Sequence, residues 1–335
     1  MSIDAGWHAA SVDAVEPSSF YTGLVAELYG PLRSSGAPDA ATYARFIARS
    51  GQPALELGCG DGDPLLDLRA RGIDVEGLDS SPDMLERCRR RAAERGLSVT
   101  LHEAPMEHME LPRHYQSIYL AGPTFNLLPD DDTAWRALAR IRAHLEPDGS
   151  ALIPLFVPPP MLPRHLGQAR THVDDQGRTM RVTGVSVERD DAARLQVLVL
   201  RYELEVDGEV EAIERPWLLH WYTQDGFRQL VGDAGLLTND VIDEQGHPAA
   251  PGAETGAFWI SRDPAFDKLP SVRDRLSPGG QALAAGMLGL DQAIYGERPK
   301  VEIVAEADAD GLDLGDIDLD RDDPSSSRMT IADDD

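Results

Sequence analysis

Lysine is nearly absent from this 335-residue chain: Lys268 and Lys300 are the two present, and the other basic residues are arginine. Cysteine is as scarce. Cys59 and Cys88 are too few for a disulfide framework, and neither lies in a cluster with metal-ligand spacing. The nine histidines are scattered, and His102, His108 and His114, six apart, share no helical face, so no metal is expected. No apolar run approaches the roughly 20 residues that cross a bilayer as a helix, and the amino terminus lacks a basic stretch ahead of an apolar core. A soluble, cytoplasmic protein is therefore expected. Basic clusters are missing too: 58 acids face 31 basic residues, a net charge of −27. Phosphate backbones are held by clustered Lys and Arg, so nucleic acid is not expected as a partner. Arg87, Arg89, Arg90, Arg91 and Arg95 spread around one helix with Glu86 and Glu94 among them, which reads as a solvated face.

Against these absences stands residues 55–62, Leu-Glu-Leu-Gly-Cys-Gly-Asp-Gly. A short apolar strand carries an acid near its end and runs into three glycines spaced two apart. Glycine lets the chain turn sharply and leaves no Cβ between backbone and ligand. A helix over 63–71, with Pro64 in its first turn, would aim free N–H groups back at that ligand. A second apolar run, residues 75–78, ends in Asp79, placed where a ribose diol is held in nucleotide-binding sheets. The dinucleotide fingerprint requires G-x-G-x-x-G; here Asp63 stands at the position of its last glycine. Glu56 also lies where a pyrophosphate would have to go, and an acid there suits a cationic nucleoside sulfonium better.

The pattern E-x-G-x-G-x-G with its downstream acid resembles motif I of the class I S-adenosylmethionine-dependent methyltransferases, and the resemblance runs on in order over about residues 20–262. Residues 78–85, Leu-Asp-Ser-Ser-Pro-Asp-Met-Leu, resemble the second motif. Residues 99–103 read as the third strand, followed by Ala104-Pro105-Met106 where the family lines its adenine pocket. Pro105 replaces the aspartate usual there, so adenine would be met by backbone and apolar contacts. Residues 117–128 resemble the fourth strand and its loop, then come a helix over 133–144, a turn over 146–149 and a fifth strand over 151–156. The resemblance implies S-adenosylmethionine as cofactor, held by Glu56, Gly58, Cys59, Gly60, Asp79, Ser80, Met84, Met106, Ala121 and Tyr29. It implies an acceptor beside Phe125, Asn126 and Trp217, with His220 and Tyr222 as candidate catalytic groups.

The implied fold is α/β: a Rossmann-like seven-stranded methyltransferase sheet with helices on both faces, plus an antiparallel β insertion. Residues 1–50 would form a helical lid in which Tyr21 or Tyr29 meets the methionine end of the cofactor. The core would comprise 51–158 and 223–262, the second part holding a helix over 225–234, a sixth strand at 241–243 and a seventh at 257–261. Between them, 159–222 hold three stretches of period-two alternation, 178–188, 194–206 and 209–221, with Asp207-Gly208 as a hairpin turn. This insertion would wall the acceptor pocket. A helical extension over 263–300, with a helix at 280–295, has no counterpart in the family core. Residues 301–335 hold 13 acids against Arg321 and Arg328, which predicts a disordered acidic tail. Asp316, Asp318 and Asp320 imitate a calcium loop, but Arg321 and Ser327 occupy the required glycine and glutamate positions.

The expected activity is methyl transfer to a small molecule, with nitrogen favoured over oxygen. Two other readings stay open: methylation of a protein or peptide, and a methyltransferase-fold scaffold that acts through its acidic tail on a protein partner.

Overall fold

The computed structural model describes residues 20–33, 38–243 and 246–266, together with 317–318 and 328–329. Two helices open it, α1 (Leu24–Leu32) and α2 (Ala40–Ser50), the second capped by the Asp39 carboxylate on the Ala41 N–H. The core then alternates strand and helix: β1 (Ala54–Leu57), α3 (Leu65–Ala70), β2 (Val75–Asp79), α4 (Pro82–Glu94), β3 (Leu101–Glu103), β4 (Tyr115–Leu120), α5 (Asp131–His144) and β5 (Leu145–Phe156). Four strands follow: β6 (Ala169–Val173), β7 (Thr179–Asp190), β8 (Leu195–Val206) and β9 (Glu209–His220). The core resumes with α6 (Gln224–Asp233), β10 (Leu236–Ile242) and β11 (Thr255–Arg262).

Seven strands form one sheet in the order β10-β11-β5-β4-β1-β2-β3, parallel except for β11, which runs antiparallel to both neighbours. Every residue of β1 is buried, as a central strand covered on both faces requires. One face is covered by α5 and α6 through Leu138, Ile141, Phe227 and Val231, the other by α2, α3 and α4 through Phe46, Ile47, Leu66 and Leu85. The order reverses at β1 and β4, so the carboxyl ends of these strands open a crevice where a ligand can enter.

The second sheet, β6-β7-β8-β9, is antiparallel throughout. Asp207 and Gly208 both take positive φ, 51° and 85°, as a two-residue hairpin turn with right-handed strand twist demands. Against its inner face packs α1: Leu24, Leu28 and Leu32 bury themselves on Met180, Val182 and Leu204. The opening helix therefore belongs as much to the insertion as to the core.

Three expectations need correction. The insertion has four strands, because β6 is exposed at every position and carries no alternation to betray it. The turn over 146–149 lies inside β5: Tyr115 pairs with Leu145 and Ser117 with Ser150, so these residues bulge from the ladder. The sixth strand starts at Leu236, not near residue 241. The helix expected at 280–295 and most of the acidic tail lie outside the described residues. Within the tail, β12 (Ile317–Asp318) and β13 (Arg328–Met329) pair antiparallel.

Candidate active site

The chain leaves β1 through Gly58, Gly60 and Gly62, all in the left-handed region at φ 66°, 54° and 100°. At Gly58 the need for glycine is doubled, since a Cβ there would lie 2.6 Å from Thr124 Cγ2 in the loop after β4. The turn is tied to the end of β2 by Asp79, whose Oδ2 accepts the Gly60 N–H at 2.8 Å. Its Oδ1 accepts the Ser81 N–H, also at 2.8 Å, and Ser81 in turn caps α4 by accepting from the Met84 N–H. Burial raises the Asp79 carboxyl above its ordinary range, against the pull of those backbone donors. Each oxygen still has a lone pair free to accept from a ligand.

Glu56 is fully buried behind the turn. The Tyr119 hydroxyl donates to its Oε2 at 2.7 Å, while Oε1 has no partner. Burial pushes the Glu56 carboxyl up to about 8, with the Tyr119 hydrogen bond working in the opposite direction. An orphaned buried carboxylate oxygen beneath a bare backbone turn fits a cationic ligand above it. Two more carboxylates border the turn, but Arg91 bridges both, to Asp61 at 2.9 Å and Asp63 at 2.8 Å, and Arg33 adds a 3.2 Å contact to Asp63.

Two cavities meet over the turn. The first, about 340 Å³, is lined by Gly58, Gly60, Asp79, Ser80, Met84 and Met106, with Ala104 and Pro105 beside them. The second, about 630 Å³, includes Cys59 and Ala121, and reaches to Phe156, Leu198 and Trp217. Tyr21, Tyr29, Gly58, Gly60, Thr124 and Leu127 line both, which marks the place where the contents of one cavity meet those of the other. The segment before α1 is fastened there. Ser81 Oγ donates to the Tyr21 carbonyl at 2.5 Å, and the Gly23 N–H donates to Asp83 at 2.6 Å.

Trp217 is the one acceptor or catalytic candidate that the structure brings to a cavity wall. Phe125, Asn126, His220 and Tyr222, expected at the acceptor, lie behind the turn of residues 124–127 instead. Phe125 and Tyr222 pack into the main core with Phe227. His220, 2% exposed, has its Nδ1 3.0 Å from the Tyr222 hydroxyl, and burial, aided by Arg194, lowers its pKa. Asn126 is saturated: its Nδ2 donates to the carbonyls of Phe156 at 3.0 Å and His220 at 2.8 Å, and its Oδ1 accepts from the Phe156 N–H. The reason is topological. The insertion leaves β5 and returns at β9, and these residues close the seam between its two ends.

Sequence reasoning missed Thr124, Tyr202 and the short turn that brings Glu107 and His108 to the first cavity. Thr124 stood within a recognised loop, and Gly58 was the available signal that something approaches closely. Tyr202 sits on an alternating strand whose inward face was legible, though not the space it faces.

A methyltransferase domain family matches residues 54–149. The chain is similar to the dTDP-3-amino-3,6-dideoxy-alpha-D-glucopyranose N,N-dimethyltransferase of Streptomyces fradiae, 28% identical over 251 residues, covering 72% of this chain and 93% of that one. It is also similar to the dTDP-3-amino-3,4,6-trideoxy-alpha-D-glucopyranose N,N-dimethyltransferase of Streptomyces venezuelae, 27% identical over 48% of this chain and 66% of that protein. Among solved structures, the CcbJ methyltransferase from Streptomyces caelestis superposes with a TM-score of 0.60 at 20% identity, covering 74% of this chain and 99% of that one. Residues 54–149 are thus a methyltransferase domain, and the sheet order and the glycine turn set between two acids support a class I S-adenosylmethionine-dependent methyltransferase.

Proposed function

We propose that the enzyme methylates the amino nitrogen of a small, sugar-like acceptor. The relatives named above act on amino sugars carried by a nucleotide, and the larger cavity is the observation that carries the reading. It is about 630 Å³, within the range of small-molecule sites, and opens onto the glycine turn from the side of the insertion. In this reading residues 1–50 act as lid, 51–158 with 223–262 as cofactor core, and 159–222 as acceptor wall. Protein-directed and scaffold roles find no support among these relatives, and the acidic tail that would serve them lies largely outside the described residues. No described helix is long and apolar enough to cross a membrane, and a cytoplasmic place suits an enzyme fed by nucleotide-linked metabolites.

The smaller cavity would hold the nucleoside. Asp79 would accept from the ribose hydroxyls, with Ser80 and Met84 beside it. Met106, Ala104 and Pro105 would face adenine with apolar and backbone surface. Glu56, protonated near neutral pH in the free protein, would give up its proton as the cationic charge arrives and offset it from below, and Cys59, Ala121 and Tyr29 would border the methionine portion. Bound S-adenosylmethionine supplies an electrophilic methyl group on sulfur. The residues common to both cavities would align the acceptor nitrogen with it and exclude water, which can supply most of the acceleration. The nitrogen attacks as a neutral amine and loses its proton afterwards. His220 and Tyr222 would act as positioning residues behind the wall and not as proton acceptors.

The test is turnover of dTDP-linked amino sugars with S-adenosylmethionine, followed by release of S-adenosylhomocysteine and the mass of the product. A methylated amine supports the reading. Binding of the cofactor with methylation on oxygen only, or of no small acceptor, overturns it.

A further inference from the structure

Four rings line one end of the acceptor cavity. Phe20 and Tyr21 come from the segment before α1, Tyr202 from β8 and Trp217 from β9. Phe20 meets Tyr21 edge to face at 4.8 Å and Tyr202 at 6.3 Å, and the Trp217 indole N–H is buried without a hydrogen-bond partner. A fifth ring, Tyr29, meets Tyr21 at 5.6 Å and already has a cation near it: the Arg33 guanidinium lies 5.7 Å from its centroid. The two carboxylates that border the cavity, Asp61 and Asp63, are engaged by Arg91 and Arg33. Arg33 and Arg170 also line the cavity, so with those carboxylates engaged the surface left to attract a positive charge is aromatic. Burial keeps the phenols of Tyr21 and Tyr202 protonated, so these rings act through their faces and hydroxyl dipoles and not as anions.

We propose that Phe20, Tyr21, Tyr202 and Trp217 form an ammonium-binding cage that receives the methylated, cationic nitrogen of the acceptor. This rests on the reading that the cavity takes an amine. As the N–C bond forms and the S–C bond breaks, the positive charge passes from sulfur to nitrogen. Ring faces attract a cation and are indifferent to the neutral amine that preceded it, so they favour the charge as it develops. The new ammonium is held beside Tyr21, the cage ring that lines both cavities. Once its proton passes to water the rings no longer favour it, so the neutral methylated amine is free to leave the cage.

The experiment needs no knowledge of the acceptor. Calorimetry on the full chain saturated with S-adenosylhomocysteine compares choline with its uncharged isostere 3,3-dimethylbutan-1-ol. Choline should bind at least about tenfold more tightly in the wild type, a preference of about 1.4 kcal/mol. Trp217→Leu and Tyr202→Leu should each bring the preference within about threefold, while Trp217→Phe keeps it, because the ring and not the indole N–H is the attractor. Equal affinity for the two probes in the wild type overturns the cage, as does a choline preference untouched by both leucine variants. Failure of S-adenosylhomocysteine to bind would instead overturn the proposed function, so the two failures are told apart.

Discussion

Asp79 and Glu56 are both acids at the ends of neighbouring strands, yet their partners give them different work. Asp79 accepts from the backbone N–H groups of Gly60 and Ser81 and lines the smaller cavity. Replacing it with alanine should weaken S-adenosylmethionine binding at least tenfold, about 1.4 kcal/mol, measured by calorimetry. Glu56 has one donor and a bare oxygen. Its carboxyl moves from the ordinary 4.5 up to about 8 on folding, so between those values the native state holds a proton that the unfolded chain has lost. Stability should accordingly fall as pH rises through that window. Glu56→Gln removes the titration. Melting curves of the cofactor-free protein across the window should slope downward for the wild type and be flatter for the variant. The identity and spacing of these residues were legible in the sequence because a strand end, a turn and a second strand end are local features. Their partners were not: Tyr119 lies 63 positions from Glu56 and reaches it only through the pairing of β1 with β4.

At the scale of elements, the glycine turn and the loop after β4 are one device. Gly58→Ala adds a methyl group 2.6 Å from Thr124 Cγ2 at a φ of 66°, so the loop must give way. Cofactor affinity should drop sharply, and adding Thr124→Ser, which deletes the offending methyl, should restore part of it in the same titration. Asn126 makes the complementary case. Its side chain closes the seam between β5 and β9 with three hydrogen bonds, and Asn126→Ala leaves buried carbonyls unpaired. Denaturant unfolding should show a loss on the order of 1–3 kcal/mol. Period-two alternation located β7, β8 and β9. It was blind to β6, an edge strand exposed on both faces, and to the bulge of residues 146–149, which depends on how β5 docks on β4.

Across the whole molecule, the opening helix and the insertion share a core, since α1 buries Leu24, Leu28 and Leu32 on β7 and β8. A helix was legible in this stretch of sequence, but not the sheet that covers it. The residues from 20 to 266 also close on themselves at their carboxyl end, where Phe266 packs on Gly235 and receives the Arg142 guanidinium 4.7 Å from its ring centroid. A chain ending at residue 267 should therefore keep its melting temperature and its affinity for S-adenosylmethionine. A loss of either would assign residues 268–335 a part in the catalytic unit.

The clasp at Asn126 has a practical meaning. Because one side chain grips both Phe156, where the antiparallel sheet departs, and His220, where it returns, the two ends of the insertion are pinned together at one place on the core, like a tool head on a handle. Acceptor preference could then be exchanged by transplanting residues 157–219 from another enzyme of this build. The graft would have to bring its own α1, because that helix is shaped to the sheet it covers, while the cofactor end remained as it is.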